Sequence, residues 1–218
     1  MGNGFAYGVL MIWPLIAIYL YRVKTVQEAT LWTILGGFLI LPVKTSIDLP
    51  MIPEMGKHTI PVISALFGLL IIKKQRIHIV SQVGKIKYLI VLMIIVPFIT
   101  AGLNSDDILI GGRYLPGLKY YDGLSMLINR FLILAPFFIG LQFFRTYDDQ
   151  RLVFKLIVVA GLIYSIPILY EIRMSPQLHA LIYGYFPHSF GQQVRFGGFR
   201  PVVFIWHGLS VAFFMSIV

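Results

Sequence analysis

Two arginines, Arg195 and Arg200, lie on either side of the pair Gly197-Gly198 in the segment HSFGQQVRFGGFRP. A guanidinium group offers a planar fork of donors that fits the oxygens of a phosphate, and glycine lets the backbone approach a ligand closely. His188 and Gln192 of the same segment are secondary candidates for further hydrogen bonds. The pattern predicts a phosphate or diphosphate site. The alternative is a pair of arginines that contact lipid headgroups or set the membrane topology.

Other polar residues lie within or beside apolar sequence. Arg130 lies about two helical turns inside the apolar block 124–144, where an arginine either lines a functional cavity or extends to the membrane surface. His207, in RPVVFIWHGLS, is either a hydrogen-bonding residue between helices or a catalyst, and the first use is the more common. Arg173 and His207 are further secondary candidates for the phosphate site.

Metal and cofactor motifs are missing from the sequence. Asp106-Asp107 resembles a catalytic acidic pair, but neighbouring side chains in a loop point apart, so a solvated turn is favoured. The chain has no cysteine, and it contains no P-loop, dinucleotide-binding glycine pattern, HExxH or GxSxG motif. We therefore expect no metal and no cofactor, and any chemistry would rest on Arg, His, Asp and Glu side chains in a cavity.

The elements that must position these side chains are membrane helices. Of the 218 residues, 58% are hydrophobic and 12% are charged, and the mean hydropathy is +0.83, whereas a soluble domain carries about 25% charged residues. The net charge of +9 does not indicate nucleic-acid binding, because the basic residues lie mainly between apolar blocks, as topology signals do. The composition predicts an all-α, polytopic transmembrane helical bundle.

Seven apolar blocks indicate about seven spans. The blocks cover residues 5–21, 29–43, 59–72, 88–103, 124–144, 152–170 and 201–218. The second, third and fourth blocks are short, so re-entrant segments are an alternative there. We expect a single transmembrane domain over residues 1–218, which forms the N-terminal part of a longer protein.

The segments that connect the blocks alternate in character. One set is short and basic, and the other is longer and rich in glycine, proline and acidic residues. The positive-inside rule places the basic set in the cytoplasm and the other set, with the N-terminus, outside. In a Gram-negative cell the outer side of the inner membrane is the periplasm.

An amphipathic helix is predicted in the last outer segment. Ser175-Pro176 has the residue types of a helix start, with serine as N-cap and proline at the first position. Five apolar or aromatic residues then recur at helical spacing before Pro187: Leu178, Leu181, Ile182, Tyr185 and Phe186. Such a helix lies in the membrane interface, where it either borders a ligand site or only seals the bundle.

Five segments resemble bacterial proteins of the O-antigen ligase and polymerase superfamily, and most of all its subgroup of exopolysaccharide or O-antigen polymerases. They are MGNGFAYGVLMIWPLIAIYL, LGGFLILPVKTSIDLPMIP, YYDGLSMLINRFLILAPFFIGLQFF, AGLIYSIPILYEIRMSPQLHALIYGYFPHSF and GGFRPVVFIWHGLSVAFF. The resemblance implies an inner-membrane glycosyltransferase of the GT-C type, active in exopolysaccharide or lipopolysaccharide biosynthesis. It would transfer glycan from undecaprenyl diphosphate on the periplasmic face, without nucleotide sugar or metal.

The resemblance also implies roles for individual residues. Periplasmic arginines hold the diphosphate in this family, and Arg195 and Arg200 match that pattern best, while Arg130 would line the same cavity. The family's functional histidine lies in a later periplasmic loop, so neither His188 nor His207 takes that role. The implied partners are undecaprenyl-diphosphate-linked glycan and membrane lipids, and the chain alone is expected to be inactive.

Two other functions compete with glycan transfer. A transporter or flippase of a lipid-linked or anionic solute would also place arginines at an outer cavity, and it requires a polar path to the cytoplasmic side. A membrane scaffold that binds a partner would tolerate lysine at the arginine positions, whereas a bidentate diphosphate site would not.

Overall fold

The computed structural model describes residues 2–48, 53–77, 84–195 and 197–218, and it is a bundle of α-helices with three short hairpins. The helices are α1 Gly4–Val23, α2 Val26–Ile40, α3 Thr59–Phe67, α4 Lys87–Leu103, α5 Tyr120–Phe143, α6 Tyr147–Met174, α7 Leu178–Tyr183 and α8 Gly208–Ile217. A π-helical turn, Gly68–Ile72, extends α3, and short 3-10 turns cover Gly84–Ile86 and Phe190–Gln193.

Each hairpin consists of two antiparallel strands. The pairs are β1 Ser46–Ile47 with β2 Met55–Gly56, β3 Ile108–Ile110 with β4 Arg113–Leu115, and β5 Val194–Arg195 with β6 Gly198–Phe199. All three lie in connections between apolar helices, where hairpins satisfy backbone groups that no helix can.

Three helices, α1, α5 and α6, are long and apolar enough to cross a membrane, while α2, α3 with its π-helical turn, α4 and α8 are apolar but shorter. On α6, Leu162, Ile163 and Ile166 are 63%, 60% and 70% exposed. Apolar side chains outside a packed core are those of a helix that faces lipid. The prediction of an all-α membrane protein is confirmed.

Small residues bring α1, α2 and α3 close together. A Cβ at Gly68 would collide with the Tyr21 ring, and a Cβ at Gly37 would collide with Pro61. The Tyr21 hydroxyl lies 2.7 Å from Thr30 Oγ1, so the polar end of this buried ring is satisfied. Close approach through glycine is a common device of membrane helices, and here it fixes the frame on which the connections lie.

The two sets of connections gather at opposite ends of the bundle. At one end, named the pocket end, Asn3, the connection 41–58 and the connection 175–207 are joined, for example by the Asn3 N–H to the Tyr183 carbonyl at 3.0 Å. At the other end, named the basic end, the turns near Lys24, Lys73 and Phe143 meet. There the Lys73 ammonium group donates to the Lys24 carbonyl, and the Gln27 side-chain amide donates to the Phe143 carbonyl.

Two predicted boundaries are wrong. The block 201–218 is not one helix, because its first seven residues form an irregular segment and α8 begins only at Gly208. The helix expected from Ser175 begins at Leu178 and ends before Gly184, which has a φ of 85°. Ser175 instead closes α6 with a φ of 84°.

The buried face of α7 also differs from the predicted apolar face. His179 and Tyr183 are each 2% exposed, whereas Leu181 is 64% exposed. His179 and Tyr183 therefore pack inward, whereas Leu181 and Ile182 are exposed.

Candidate functional site

A polar pocket of about 700 Å³ opens at the pocket end, between the connection 41–58 and the first turns of α5. Its polar lining comprises Lys44, Thr45, Ser46, Glu54, Lys57, His58, Thr59, Ser125 and Asn129. Trp206 closes one side, and Lys44 Nζ lies 4.6 Å from the centre of its ring. A cation at this distance from an indole face is attracted to it.

Lys57 is the most constrained polar group in this lining. Its side chain is 5% exposed, and its Nζ donates to the carbonyl oxygens of Leu41 and Phe204, each at 2.6 Å. Burial lowers the pKa of the Lys57 amine from 10.5 to about 7, because removal from water disfavours the charged form. The amine therefore changes its protonation state near neutral pH.

His58 lies beside Lys57 at the mouth of the pocket. Desolvation, together with the neighbouring Lys57 charge, lowers the pKa of His58 below its usual 6.5. His58 is therefore neutral at neutral pH. The positive charge of the lining comes from Lys44 and from the protonated form of Lys57, and Glu54 opposes it.

An apolar crevice of about 510 Å³ adjoins the polar pocket. Lys57, His58, Thr59 and Asn129 line both spaces. Beyond them the crevice is bordered by Ile34, Phe38, Pro61, Val62, Leu132, Ile133 and Pro136 of α2, α3 and α5. A cationic pocket and an apolar crevice between helices therefore lie next to each other, an arrangement that suits an amphipathic ligand.

Glu171, near the end of α6, holds the irregular segment 201–207 in place. The side chain is 1% exposed, and its carboxylate accepts hydrogen bonds from the backbone N–H groups of Val202 and Val203, both at 2.7 Å, and of Leu178 at 3.0 Å. A buried carboxylate needs such partners, because an unpaired one would be very costly.

The backbone of Phe204 is bound on both sides. Its N–H donates to the Tyr164 hydroxyl at 3.1 Å, and its carbonyl accepts from Lys57. Val203 has a φ of 51°, which a β-branched residue rarely adopts. This strained conformation is held by the side chains around it, and the result is the placement of Trp206 over the polar pocket.

His179 and two tyrosines fasten α7 to the end of α2. The Val43 N–H donates to His179 Nε2 at 3.4 Å, so His179 carries its proton on Nδ1, which donates to the Tyr185 carbonyl at 3.0 Å. Burial lowers the pKa of His179 to about 4. The Tyr183 hydroxyl donates to Ile40 O at 2.7 Å, and the Tyr185 hydroxyl bonds Val43 O and Thr45 Oγ1.

The predicted arginines lie on several different elements. Neither Arg130 nor Arg200 is among the described residues that line the polar pocket or the crevice. Arg130 and Arg173 are exposed, and the aliphatic stem of Arg200 packs over Gly208 at the start of α8. Arg195 belongs to β5, but its side chain lies outside what the structure describes.

The predicted histidines come together, whereas Gln192 lies apart. The rings of His188 and His207 have centroids 4.8 Å apart. His207 is the N-cap of α8, where its Nδ1 accepts from the Leu209 N–H at 3.1 Å. The alternatives for His207 placed it within a span, and the structure places it at a helix start. Gln192 is exposed in a 3-10 turn.

Asp107 has a structural role in the β3–β4 hairpin. Its carboxylate accepts from the Tyr114 hydroxyl at 2.6 Å and the Gly117 N–H at 2.7 Å. The Tyr114 hydrogen bond lowers the pKa of Asp107, and the interpretation of this stretch as a turn agrees with that geometry. Within the described ranges, no group of three or more His, Cys, Asp or Glu side chains could hold a metal ion.

Lys57 and Glu171 were missed by reasoning from the sequence. Lys57 looked like an ordinary charge in a connection, and Glu171 like the polar end of an apolar block. A weak signal was present, since Glu171 ends a block with no acidic neighbour close by. Only the fold shows that residues 202–204 supply backbone partners to both side chains.

Comparison of the chain with family models, with curated proteins and with solved structures finds no match.

Proposed function

We propose that the chain is the membrane domain of a glycan polymerase or ligase, which uses undecaprenyl diphosphate-linked glycan as donor at the periplasmic face of the inner membrane. One observation carries the proposal. The polar pocket and the apolar crevice share Lys57, His58, Thr59 and Asn129 as a common border, so a cationic region and an apolar region lie side by side, within reach of one molecule.

A lipid diphosphate fits the pocket and the crevice together. Its charged head would occupy the polar pocket beside Lys44 and Lys57, and its first isoprene units would lie in the crevice between α2, α3 and α5. Transfer of the sugar leaves negative charge on the diphosphate, and cations held in a partly dry site stabilise that charge without reorganisation. Arg130, Arg195 and Arg200 remain predictions for further contacts with the diphosphate.

The arrangement of the two ends supports the proposed side. The basic end gathers lysine and arginine from the short connections, and the positive-inside rule assigns such an end to the cytoplasm. The pocket end then faces the periplasm together with the N-terminus. In this proposal all seven apolar helices are embedded in the membrane, and α7 lies in the interface.

The apolar crevice favours transfer over transport. A transporter needs a polar path that continues toward the basic end, whereas beyond Asn129 the described lining is apolar, with Leu132, Ile133 and Pro136 of α5. Such a lining suits a lipid tail that stays in place while its head reacts.

The first experiment measures binding to the full chain in detergent micelles. Farnesyl diphosphate, farnesol and inorganic pyrophosphate serve as whole probe, tail and head. We expect farnesyl diphosphate to bind at least about tenfold more tightly than either part, because several buried CH₂ groups add to the charged contacts. Equal binding of farnesyl diphosphate and pyrophosphate would contradict a role for the crevice.

The second experiment tests the reaction in the cell. Deletion of the full-length gene should shorten or remove a surface glycan, and the wild-type gene should restore it. Arg200→Lys should fail to restore it if that arginine makes a bidentate contact. An unchanged glycan profile after deletion would count against glycan transfer and in favour of a transporter.

A further inference from the structure

We propose that Lys57 binds the anionic head of the ligand through the third N–H of its ammonium group, so that ligand binding draws one proton onto this amine and tightens the hold on segment 201–207. This inference rests on the proposed function, because it takes the ligand to be a lipid-linked phosphate or diphosphate.

The geometry leaves one direction for the third donor. An ammonium group has three N–H bonds, and the carbonyl oxygens of Leu41 and Phe204 accept two of them. The Nζ also lies 5.7 Å from the centre of the Phe38 ring, which borders the crevice. Because Lys57 lines both spaces, we assign the remaining donor to their border, where the head of an amphipathic ligand would meet its tail.

Without a ligand, the neutral amine fits the same geometry. It can donate to both carbonyls with its two N–H bonds, and its lone pair takes the third direction. Burial holds the pKa of Lys57 at about 7, so near neutral pH the two protonation states are present in similar amounts. A phosphate placed at the third position favours the charged form and raises this pKa. The proton is taken from solvent.

The other charged or titratable groups around Lys57 are His58, His179, Lys44, Glu54 and, beside Phe204, Glu171. His58 and His179 both have pKa values below the ordinary 6.5, so both are neutral between about pH 7 and about pH 9. Lys44 and Glu54 from the connection 41–58 line the same pocket. They remain present in every Lys57 variant, so comparison of variants separates their contribution.

Binding at Lys57 reaches beyond the pocket through Phe204. Hydrogen bonds from a charged donor are roughly twice as strong as those from a neutral one. A protonated Lys57 therefore holds the Phe204 carbonyl more firmly, and with it the strained turn at Val203 and the side of the pocket formed by Trp206. The ligand and segment 201–207 would stabilise each other, because both interact with the same ammonium group.

The test is calorimetric binding of farnesyl diphosphate to the full chain in micelles at about pH 8, in two buffers with different ionisation enthalpies. For the wild type we expect uptake of close to one proton, and an affinity that falls by up to about tenfold per pH unit between pH 7 and pH 9. Lys57→Arg is charged throughout and should bind without proton uptake. Lys44→Met is the control and should bind more weakly with the proton uptake preserved.

The outcomes separate this inference from the proposed function. Wild-type binding without proton uptake, or uptake that persists in Lys57→Met, would overturn the role of Lys57 and leave the ligand class intact. Absence of farnesyl diphosphate binding at every pH would overturn both proposals. If Lys57→Met does not fold, the wild-type measurement decides alone, supported by the titration of ¹³Cε-labelled lysine with and without farnesyl diphosphate.

Discussion

At each end of the bundle a carboxylate accepts hydrogen bonds from backbone N–H groups, but in opposite surroundings. Glu171 at the pocket end is 1% exposed and binds residues 7, 31 and 32 positions further along the chain. Asp149 at the basic end is partly exposed, and besides a contact with the Gln27 side chain its hydrogen bonds come from Arg145 and Thr146, four and three residues before it. The first joins distant segments into a pocket, and the second closes a local turn as a helix cap.

Lys57 and Lys73 show the same contrast between a buried and an exposed contact. Lys57 donates to carbonyls 16 and 147 residues away and is buried. Lys73 donates to the Lys24 carbonyl at 2.8 Å in an exposed contact. The same chemical groups therefore build a site at one end and short connections at the other, and burial decides how much each bond matters.

The largest difference in stability loss is expected between variants of the two carboxylates, Glu171 and Asp149. Glu171→Ala leaves three N–H groups without an acceptor, two of them in buried hydrogen bonds, and should lower the free energy of unfolding by about 3–5 kcal/mol. Asp149→Ala, the matched control, exposes its partners to water and should have a much smaller effect. Equilibrium unfolding in mixed micelles measures both, and similar losses for the two variants would abolish the contrast between the ends.

A smaller difference in stability loss is expected between variants of the two lysines, Lys57 and Lys73. Lys57→Met keeps much of the side-chain volume but leaves the Leu41 and Phe204 carbonyls without their donor, which should cost about 1–3 kcal/mol. Lys73→Met should leave the unfolding midpoint nearly unchanged, because water replaces the ammonium group at the Lys24 carbonyl. A loss confined to Lys73→Met would reverse the assignment of buried and exposed donors.

The pH dependence of stability sharpens the same contrast. The folded pKa of Lys57 is about 7 and its ordinary value is 10.5, so between these values the unfolded state binds more protons. Stability contributed by this group therefore rises with pH across that window, by up to about 1.4 kcal/mol per pH unit, and is constant below it. Unfolding of the wild type and of Lys57→Met at pH 7, 8 and 9 should diverge; parallel curves would show that the Lys57 pKa is not lowered.

The smallest effect is expected for a single hydroxyl. Tyr183→Phe removes the donor to the Ile40 carbonyl, a 2.7 Å bond beside a ring that is 2% exposed, and should cost about 1 kcal/mol. Tyr120→Phe, on a side chain that is 79% exposed, is the control and should be neutral. A thermal shift assay in detergent compares the melting temperatures of the two variants. Equal melting temperatures would show that the Tyr183 hydroxyl contributes nothing to stability.

The sequence predicted the helices better than the connections, for a physical reason. Apolar blocks follow from local composition, and six of the seven contain a helix over most of their length, as α5 does within 124–144. The block 201–218 was misjudged because Glu171, Tyr164 and Lys57 supply hydrogen bonds to residues 202–204. Such partners let an apolar stretch remain irregular, and hydropathy does not detect them.

The candidate site shows the same division. Arginines with glycines between them form a visible local pattern, so Arg195 and Arg200 were selected from the sequence. The polar pocket depends instead on Lys57, which lies between Gly56 and His58 with no pattern around it. Its burial comes from the packing of α2, α3 and segment 201–207, and that packing is not encoded near residue 57.

The bond between Lys57 and Phe204 also sets an order of assembly during synthesis. The two residues are 147 positions apart, so α3, α4, α5 and α6 are all synthesised before Phe204. Until then Lys57 lacks one of its two carbonyl partners, and Glu171 lacks the N–H groups of residues 202 and 203. The pocket is therefore completed late, and a chain that ends before residue 202 would lack the Phe204 carbonyl that binds Lys57 and the Val202 and Val203 N–H groups that bind Glu171.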